Sequence, residues 1–159
     1  MNARKRPRPG VGGCLFLDNE GIMRATEKSP GGEMVRARLE AARIRGARVA
    51  TSAVVLAEII RGEPRDARVH RILNKIKVED VTPEIGIRAG ELIGTAGLHT
   101  DQSVDAALAA TATLYVERHE RLGHLQEALI ITSDLPHLSK LTEGHNRVRV
   151  AHVDRLPGR

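Results

Sequence analysis

Aromatic side chains and cysteines are scarce in this chain of 159 residues. Phe16 and Tyr115 are its only aromatic residues besides histidine, which argues against a platform that stacks the bases of single-stranded nucleic acid. The single cysteine, Cys14, excludes an internal disulfide and any zinc site made of cysteines. A chain of this length buries enough surface to fold around one core without such links. These absences indicate an ordinary single-domain protein.

Long apolar segments are also missing, since no run approaches the roughly 18 residues that cross a membrane. The basic start is followed by a short apolar stretch, residues 11–17, as in a signal peptide. However, glycines interrupt this stretch, Asp18 ends it, and no small-residue cleavage site follows. We therefore expect a cytoplasmic protein that does not associate with membranes.

The net charge of +5 is concentrated at the start of the chain. Four basic residues precede the first acid of the chain: Arg4, Lys5, Arg6 and Arg8. Residues 1–13 also contain proline and glycine and show no periodicity, so we predict a basic flexible arm. Such an arm either follows phosphates with salt-dependent affinity or only adds solubility. Residues 14–153 form the predicted domain, and residues 154–159 form a C-terminal tail.

Short apolar runs alternate with amphipathic segments along the chain. The apolar runs predict strands at Cys14–Leu17, 48–51, 78–82, Ala128–Thr132 and 148–153. The segments between them have helical periodicity, and the longest predicted helix spans residues 103–120. Because strands and helices alternate, we predict one α/β domain whose roughly five-stranded, mostly parallel sheet is covered on both faces.

Local signals make finer predictions at two places. Residues 29–32 (SPGG) are typical of a loop, and the helix predicted to follow over residues 33–45 has Met34 and Ile44 among its core residues. A second helix is predicted over residues 53–61, with the preceding serine as its N-cap.

Four acidic residues lie next to or within apolar segments. Asp18 follows the run LFL, and Asp134 follows ALIITS at the end of the most apolar predicted strand. Glu58 is the only charge in VVLAEII, and Asp105 is the only charge in VDAALAA. A carboxylate in apolar surroundings costs several kcal/mol unless a partner compensates it. The four acids therefore require either arginine partners or a shared divalent cation.

The predicted sheet favours the shared cation. Asp18 and Asp134 both follow strands, and ligands of parallel α/β sheets gather at the carboxyl ends of strands. Asp105 lies near the start of its helix and could reach the same place. Oxygen ligands without cysteine or histidine select a hard ion, Mg²⁺ or Mn²⁺. Such an ion activates water and holds a phosphate for displacement.

Four segments carry a family resemblance: LFLDNEG (15–21), TSAVVLAEIIRG (51–62), SVDAALAATA (103–112) and LIITSDLPHLSKL (129–141). In this order they resemble the four acidic motifs of the PIN-domain nucleases. Within that family they are most similar to the VapC-type toxins, metal-dependent ribonucleases that a cognate antitoxin neutralises. The resemblance spans residues 14–153. It implies a three-layer α/β/α sandwich, a homodimer and an antitoxin partner.

The resemblance also assigns roles to residues. It implies that Asp18, Glu58, Asp105 and Asp134, which we call the acidic quartet, surround Mg²⁺ or Mn²⁺. Asp18 and Asp105 would bind the metal directly, and Asp134 would be a further metal ligand. Glu58 and Asp134 would hold metal-bound water or a second ion. Asn19 and Ser133 would be polar neighbours of the quartet. Asp101 lies four residues before Asp105 and could take its place. His137 stands where some relatives carry another acid.

The expected function is that of a Mg²⁺- or Mn²⁺-dependent endoribonuclease that hydrolyses RNA phosphodiesters as the toxin of a toxin–antitoxin pair. One alternative is a catalytically silent PIN-like module that binds nucleic acid or protein. A Mg²⁺-dependent receiver-type domain is a third class, but it would require adjacent acids on the first strand, where Asp18 is followed by Asn19.

Overall fold

The computed structural model describes residues 12–156 of the chain. Most of the predicted arm, residues 1–11, and the last three residues of the tail lie outside the described residues. Within residues 12–156, no helix is both long enough and apolar enough to cross a membrane.

A five-stranded sheet forms the centre of the fold. Its strands are β1 (Cys14–Leu17), β2 (Arg48–Ser52), β3 (Lys77–Glu79), β4 (Ala128–Thr132) and β5 (Val148–His152). They lie in the order β3-β2-β1-β4-β5, and every neighbouring pair is parallel. Parallel neighbours require crossover connections, and the helical segments between the strands supply them. The predicted α/β fold with a parallel sheet is confirmed.

Helices cover both faces of the sheet. The helices are α1 (Asn19–Thr26), α2 (Pro30–Ile44), α3 (Leu56–Ile59), α4 (Asp66–Leu73), α5 (Pro83–Ala96), α6 (Ser103–Arg121) and α7 (Leu135–Leu141). Alternate strand residues point to opposite faces: Cys14 and Phe16 pack with α5, α6 and α7, whereas Leu15 and Leu17 pack with α1 to α4. The two apolar clusters make the three-layer α/β/α sandwich that the resemblance implies.

Helix α6 lies deepest in the fold. Every residue from 106 to 116 is buried, and the many alanines among them let the helix approach the sheet closely. Asp105 precedes this buried stretch, in the first turn of the helix. The position of Asp105 is therefore fixed by the packing of the helix behind it.

The predicted loop at residues 29–32 is wrong, because α2 already begins at Pro30. Ser29 is the N-cap, and its hydroxyl accepts a hydrogen bond from the Gly32 N–H at 3.1 Å. A side chain on Gly32 would lie 2.9 Å from the Arg24 carbonyl oxygen and closer still to that of Glu27. Gly32 thus allows α2 to begin against the end of α1, and the glycines do not mark a loop.

We expect Gly32→Ala to lower the free energy of unfolding by about 1–3 kcal/mol, because two backbone carbonyl groups would have to move. Gly90→Ala in α5 is the matched control, since nothing lies within 4 Å of the position its Cβ would take. That control should stabilise the protein by about 0.5–1 kcal/mol through helix propensity. Urea unfolding of both variants measures the two effects, and a stabilised Gly32→Ala protein would contradict the close approach.

The predicted helix over residues 53–61 is also wrong in part. A 3-10 turn (Ala53–Val55) leads into the single turn of α3, which ends at Ile59. The chain then turns because one carboxylate oxygen of Asp66 accepts hydrogen bonds from the N–H groups of residues 61, 62 and 63, at 2.9, 2.7 and 3.2 Å. Those N–H groups would otherwise continue the helix.

Smaller differences concern boundaries and core residues. Strand β3 has only three residues, shorter than the predicted 78–82. In α2, Met34 and Ile44 are 46% and 71% exposed, so their predicted core positions are wrong. Val35, Leu39 and Ala42 supply the apolar face of that helix instead.

Candidate functional site

Asp18 stands at the carboxyl end of the central strand, directly after β1. Its carboxylate caps α1 by accepting a hydrogen bond from the Gly21 N–H at 2.8 Å. Its backbone N–H donates to the Ile131 carbonyl at 3.2 Å, so the residue is anchored to β4 as well. Asp18 is only 3% exposed, which makes it the most deeply buried member of the acidic quartet.

Two threonines on neighbouring strands fix this end of β1, and sequence reasoning missed both. The Thr51 hydroxyl donates to the Leu17 carbonyl at 2.7 Å. The Thr132 hydroxyl accepts from the Asp134 N–H at 2.8 Å, and its side chain hydrogen-bonds to the Asp18 carboxylate. Thr132 thus links two members of the acidic quartet.

Asp134 is the N-cap of α7 and is half-buried. One of its oxygens accepts from the His137 N–H at 3.3 Å, and the other lies 2.6 Å from His137 Nδ1. His137 therefore contacts both oxygens of Asp134. A protonated His137 would offset part of the negative charge of this carboxylate.

Asp105 and Glu58 approach the same end of the sheet from α6 and α3. Asp105 is half-buried, and Glu58 is exposed. The expectation that Glu58 lies among apolar side chains is therefore wrong. The buried residues of this segment are Val55 and Ile59, which lie four positions apart and leave Glu58 on the outer side.

The pKa of Asp105 shows that the other three members of the quartet act on it. The pKa of Asp105 is raised to about 6, chiefly by burial and also by the charges of Asp134, Asp18 and Glu58, while His137 opposes the rise. Burial also raises the pKa of Asp18 to about 6, against hydrogen bonds from Thr132 and the Gly21 N–H. The structure therefore brings all four predicted acids into one electrostatic cluster at the carboxyl end of the sheet.

Arginine or lysine does not compensate this cluster. Among residues 12–156, no Lys or Arg side chain forms an ion pair with the carboxylate of Asp18, Glu58, Asp105 or Asp134, although Arg61 donates to the backbone carbonyl of Glu58 at 2.7 Å. Of the two ways to offset the four charges that the sequence left open, the arginine partners are thus absent from this part of the chain.

The donor set fits a hard divalent cation by its chemistry. It offers carboxylate oxygens, which Mg²⁺ and Mn²⁺ prefer, and the Asp105 carboxylate has no hydrogen-bond partner among the described residues. Within the described part of the chain, however, no three His, Cys, Asp or Glu side chains are already arranged to hold a metal ion. The fit therefore rests on the donor types and on their uncompensated charge.

Residues 15–136 match a protein-family model described as PIN domain. The matched range is more than half of the chain and contains the whole acidic quartet. The chain belongs to the PIN-domain family. The family resemblance predicted from the four motifs is confirmed, and no curated protein matches the chain.

Two solved structures share the architecture of this PIN domain. One is the crystal structure of VapBC2 from Rickettsia felis bound to a DNA fragment from their promoter, with 17% identity and a TM-score of 0.62 over 87% of this chain and 98% of that chain. The other is a toxin–antitoxin complex from Klebsiella pneumoniae, with 20% identity and a TM-score of 0.56 over 84% and 94% of the two chains. At these identities the likeness shows the fold.

The other predicted site residues of the PIN domain lie around the quartet. Asn19 is half-buried, and its side-chain oxygen accepts from the Glu20 N–H at 2.7 Å. Ser133 is exposed and reaches Asp18 through its backbone N–H. Asp101 is exposed in a 3-10 turn (Thr100–Gln102) before α6, and it is not among the charges named above that act on Asp105.

Ser52 was predicted to cap a helix, but its hydroxyl makes no such bond. The residue is fully buried, and its Oγ has no hydrogen-bond partner among the described residues. Phe16 pairs with Ala50 across β1 and β2, so the same register places Ser52 level with Asp18 and on the same face of the sheet. A buried hydroxyl without a partner costs about 1–3 kcal/mol, which makes Ser52 a candidate to bind a group that enters the site.

Proposed function

We propose that this PIN domain is a Mg²⁺- or Mn²⁺-dependent endoribonuclease that acts as the toxin of a toxin–antitoxin pair. The observation that carries the proposal is the electrostatic cluster at the carboxyl end of the sheet. There Asp18, Glu58 and Asp134 all add negative charge at Asp105, and no Lys or Arg of residues 12–156 forms an ion pair with their carboxylates. Family membership supports the nuclease class.

Each member of the quartet has a distinct place in the proposal. Asp18, Asp105 and Asp134 would hold the cation, and Glu58, being exposed, faces the side from which substrate arrives. When bound, the cation lowers the pKa of water and offsets the negative charge that develops on the phosphate. The protein supplies orientation, because Thr132 fixes Asp18 relative to Asp134 and His137 fixes Asp134.

Dependence of cleavage on the metal tests the function directly. Purified protein is incubated with a mixture of single-stranded RNAs in EDTA, and then with Mg²⁺ or Mn²⁺ in excess over EDTA. We expect cleavage only after the metal is added, with new ends inside the RNA chains. Salt-sensitive RNA binding without cleavage in either metal would instead identify a catalytically silent module.

An antitoxin partner, a homodimer and a cytoplasmic location belong to the same proposal. Of the two solved structures named above, one is described as VapBC2 and the other as a toxin–antitoxin complex. An acidic cluster of this kind suits a partner that inserts a basic side chain. Co-expression with the protein encoded by the adjacent gene should restore growth and yield a stoichiometric complex. Light scattering of the isolated chain should give the mass of a dimer.

Ser52→Ala separates function from stability. We expect the variant to gain about 1 kcal/mol in free energy of unfolding without metal, because it removes a buried hydroxyl that has no partner. RNA cleavage should nevertheless fall about tenfold, as expected when a group that positions a site is lost. Thr51→Val is the neighbouring control, and it should lose stability because its hydroxyl does have a partner, the Leu17 carbonyl. Unchanged cleavage by Ser52→Ala would exclude Ser52 from the site.

A further inference from the structure

The amino end of the sheet carries a cluster of positive charge that the proposed nuclease function does not use. Arg38 in α2, Arg45 at its C-cap and Arg149 in β5 line one cavity of about 200 Å³. The start of β1 and the start of β4 complete its wall. We call this the arginine cavity. It lies at the opposite end of the strands from the acidic quartet, which follows β1 and β4.

The three guanidinium groups have no partners in the part of the chain that the structure describes. Within residues 12–156, none of them forms an ion pair or a hydrogen bond. The Nε atom of Arg38 is buried and has no acceptor. Glu127 also lines the cavity, but its carboxylate pairs with none of the three arginines. A buried N–H of a charged group without an acceptor is costly, so the Arg38 Nε–H is available to donate to an anion that enters the cavity.

The three arginines of the cavity also repel one another. Burial lowers the pKa of Arg38, and the positive charges of Arg45 and Arg149 lower it further. The backbone of Arg38 is anchored, because α2 buries Val35, Leu39 and Ala42 in the core. Its side chain is half-buried, whereas Arg45 and Arg149 are exposed.

We propose that the arginine cavity is a binding site for a phosphate group. Three arginines and one glutamate line the cavity, which leaves a formal charge of +2 for a dianion. A phosphate presents its oxygens in several directions and can accept from guanidinium groups that converge from α2 and β5, whereas a carboxylate has only two oxygens in one plane. The volume of about 200 Å³ also admits such a group with attached atoms, since one water occupies about 30 Å³.

Titration with inorganic phosphate tests this site separately from the nuclease. The full chain is kept in EDTA, so that no metal-dependent cleavage occurs, and phosphate replaces chloride at constant ionic strength during calorimetry. We expect saturable binding with one phosphate per chain. Arg38→Gln and Arg149→Gln should each weaken it at least about tenfold, the effect of losing a charge-assisted hydrogen bond.

Arg68→Gln is the matched control, since Arg68 is exposed on α4 and does not line the cavity. It changes the net charge equally but should alter phosphate affinity less than twofold. Without phosphate, Arg38→Gln should melt at the same or a higher temperature than the parent, because the repulsion is relieved. Phosphate should then raise the melting temperature of the parent and of Arg68→Gln only. Non-saturable binding, or equal weakening in all three variants, would overturn the proposal.

A short single-stranded RNA with hydroxyl groups at both ends identifies the source of the phosphate. If Arg38→Gln weakens RNA binding in EDTA and Arg68→Gln does not, the cavity takes a backbone phosphate. If RNA binding is unchanged while inorganic phosphate binding is lost, the cavity takes free phosphate or a nucleotide. Either result retains the phosphate site, and neither depends on whether the acidic quartet cleaves RNA.

Discussion

We expect the Asp18→Asn and Asp105→Asn proteins to fold and to cleave RNA at least about 100-fold more slowly than the parent in Mn²⁺. Loss of a residue that only supports a metal ligand already costs about 10- to 100-fold, and these two carboxylates are proposed to contact the metal itself. Asparagine preserves the shape of each side chain, and in Asp18→Asn its oxygen can still accept from the Gly21 N–H. Initial rates on a labelled RNA at saturating Mn²⁺ measure the loss.

Asp80→Asn serves as the control for this comparison. Asp80 is exposed after β3, so the substitution removes a carboxylate outside the acidic quartet and should leave cleavage within about twofold of the parent. Asp101→Asn tests whether Asp101 or Asp105 is the acid that the site uses ahead of the buried part of α6. A larger loss for Asp101→Asn than for Asp105→Asn would move the site to the 3-10 turn, and full activity of Asp18→Asn would end the nuclease proposal.

Without metal, the protein should lose stability as the pH rises from about 4 to 7, and Asp18→Asn should remove part of that loss. The folded pKa of Asp18 is raised from 3.8 to about 6, so between these values the folded state binds more protons than the unfolded state. Stability therefore falls with rising pH across this window. The shift corresponds to about 3 kcal/mol above pH 6, and Asp105 changes in the same direction.

Thermal unfolding in EDTA at pH 4.5 and pH 7 measures this effect. Asp18→Asn should melt several degrees above the parent at pH 7 and close to it at pH 4.5, since about 1 kcal/mol shifts the melting temperature by roughly 2–4 °C for a chain of this size. Mn²⁺ at pH 7 should stabilise the parent and leave Asp18→Asn unchanged. The parent protein could instead be more stable at pH 7 than at pH 4.5 in EDTA and gain nothing from Asp18→Asn. That result would show that the ionised carboxylate of Asp18 does not destabilise the folded state.

The sequence predicted the fold where the signal is local. The runs CLFL and ALIIT are apolar and short, and each becomes a central strand with a polar residue after it. Asp18 and Asp134 could therefore be placed at strand ends from the sequence alone. Asp105 could be placed near the start of α6 from the sequence alone, because it is the single charge ahead of an alanine-rich stretch that the structure buries. Their role as metal ligands stays a prediction.

What the sequence did not predict depends on contacts between distant segments. The break after α3 is caused by the Asp66 carboxylate, which accepts hydrogen bonds from the N–H groups of residues 61, 62 and 63. The glycines before α2 resemble a loop until the Arg24 and Glu27 carbonyls beside Gly32 are known. Thr132 matters only because β4 pairs with β1, and no spacing in the sequence reveals that pairing.

The parallel sheet separates charge along its own axis, since its carboxyl end carries the acidic quartet and its amino end carries the arginine cavity. These two clusters by themselves make an electric dipole directed along the strands. Within about one Debye length, roughly 8 Å at physiological salt, a polyanion is repelled by the acidic end until a cation neutralises it. We therefore expect an ordered encounter in which the ion loads first and the nucleic acid second, with its approach oriented by the opposite pole.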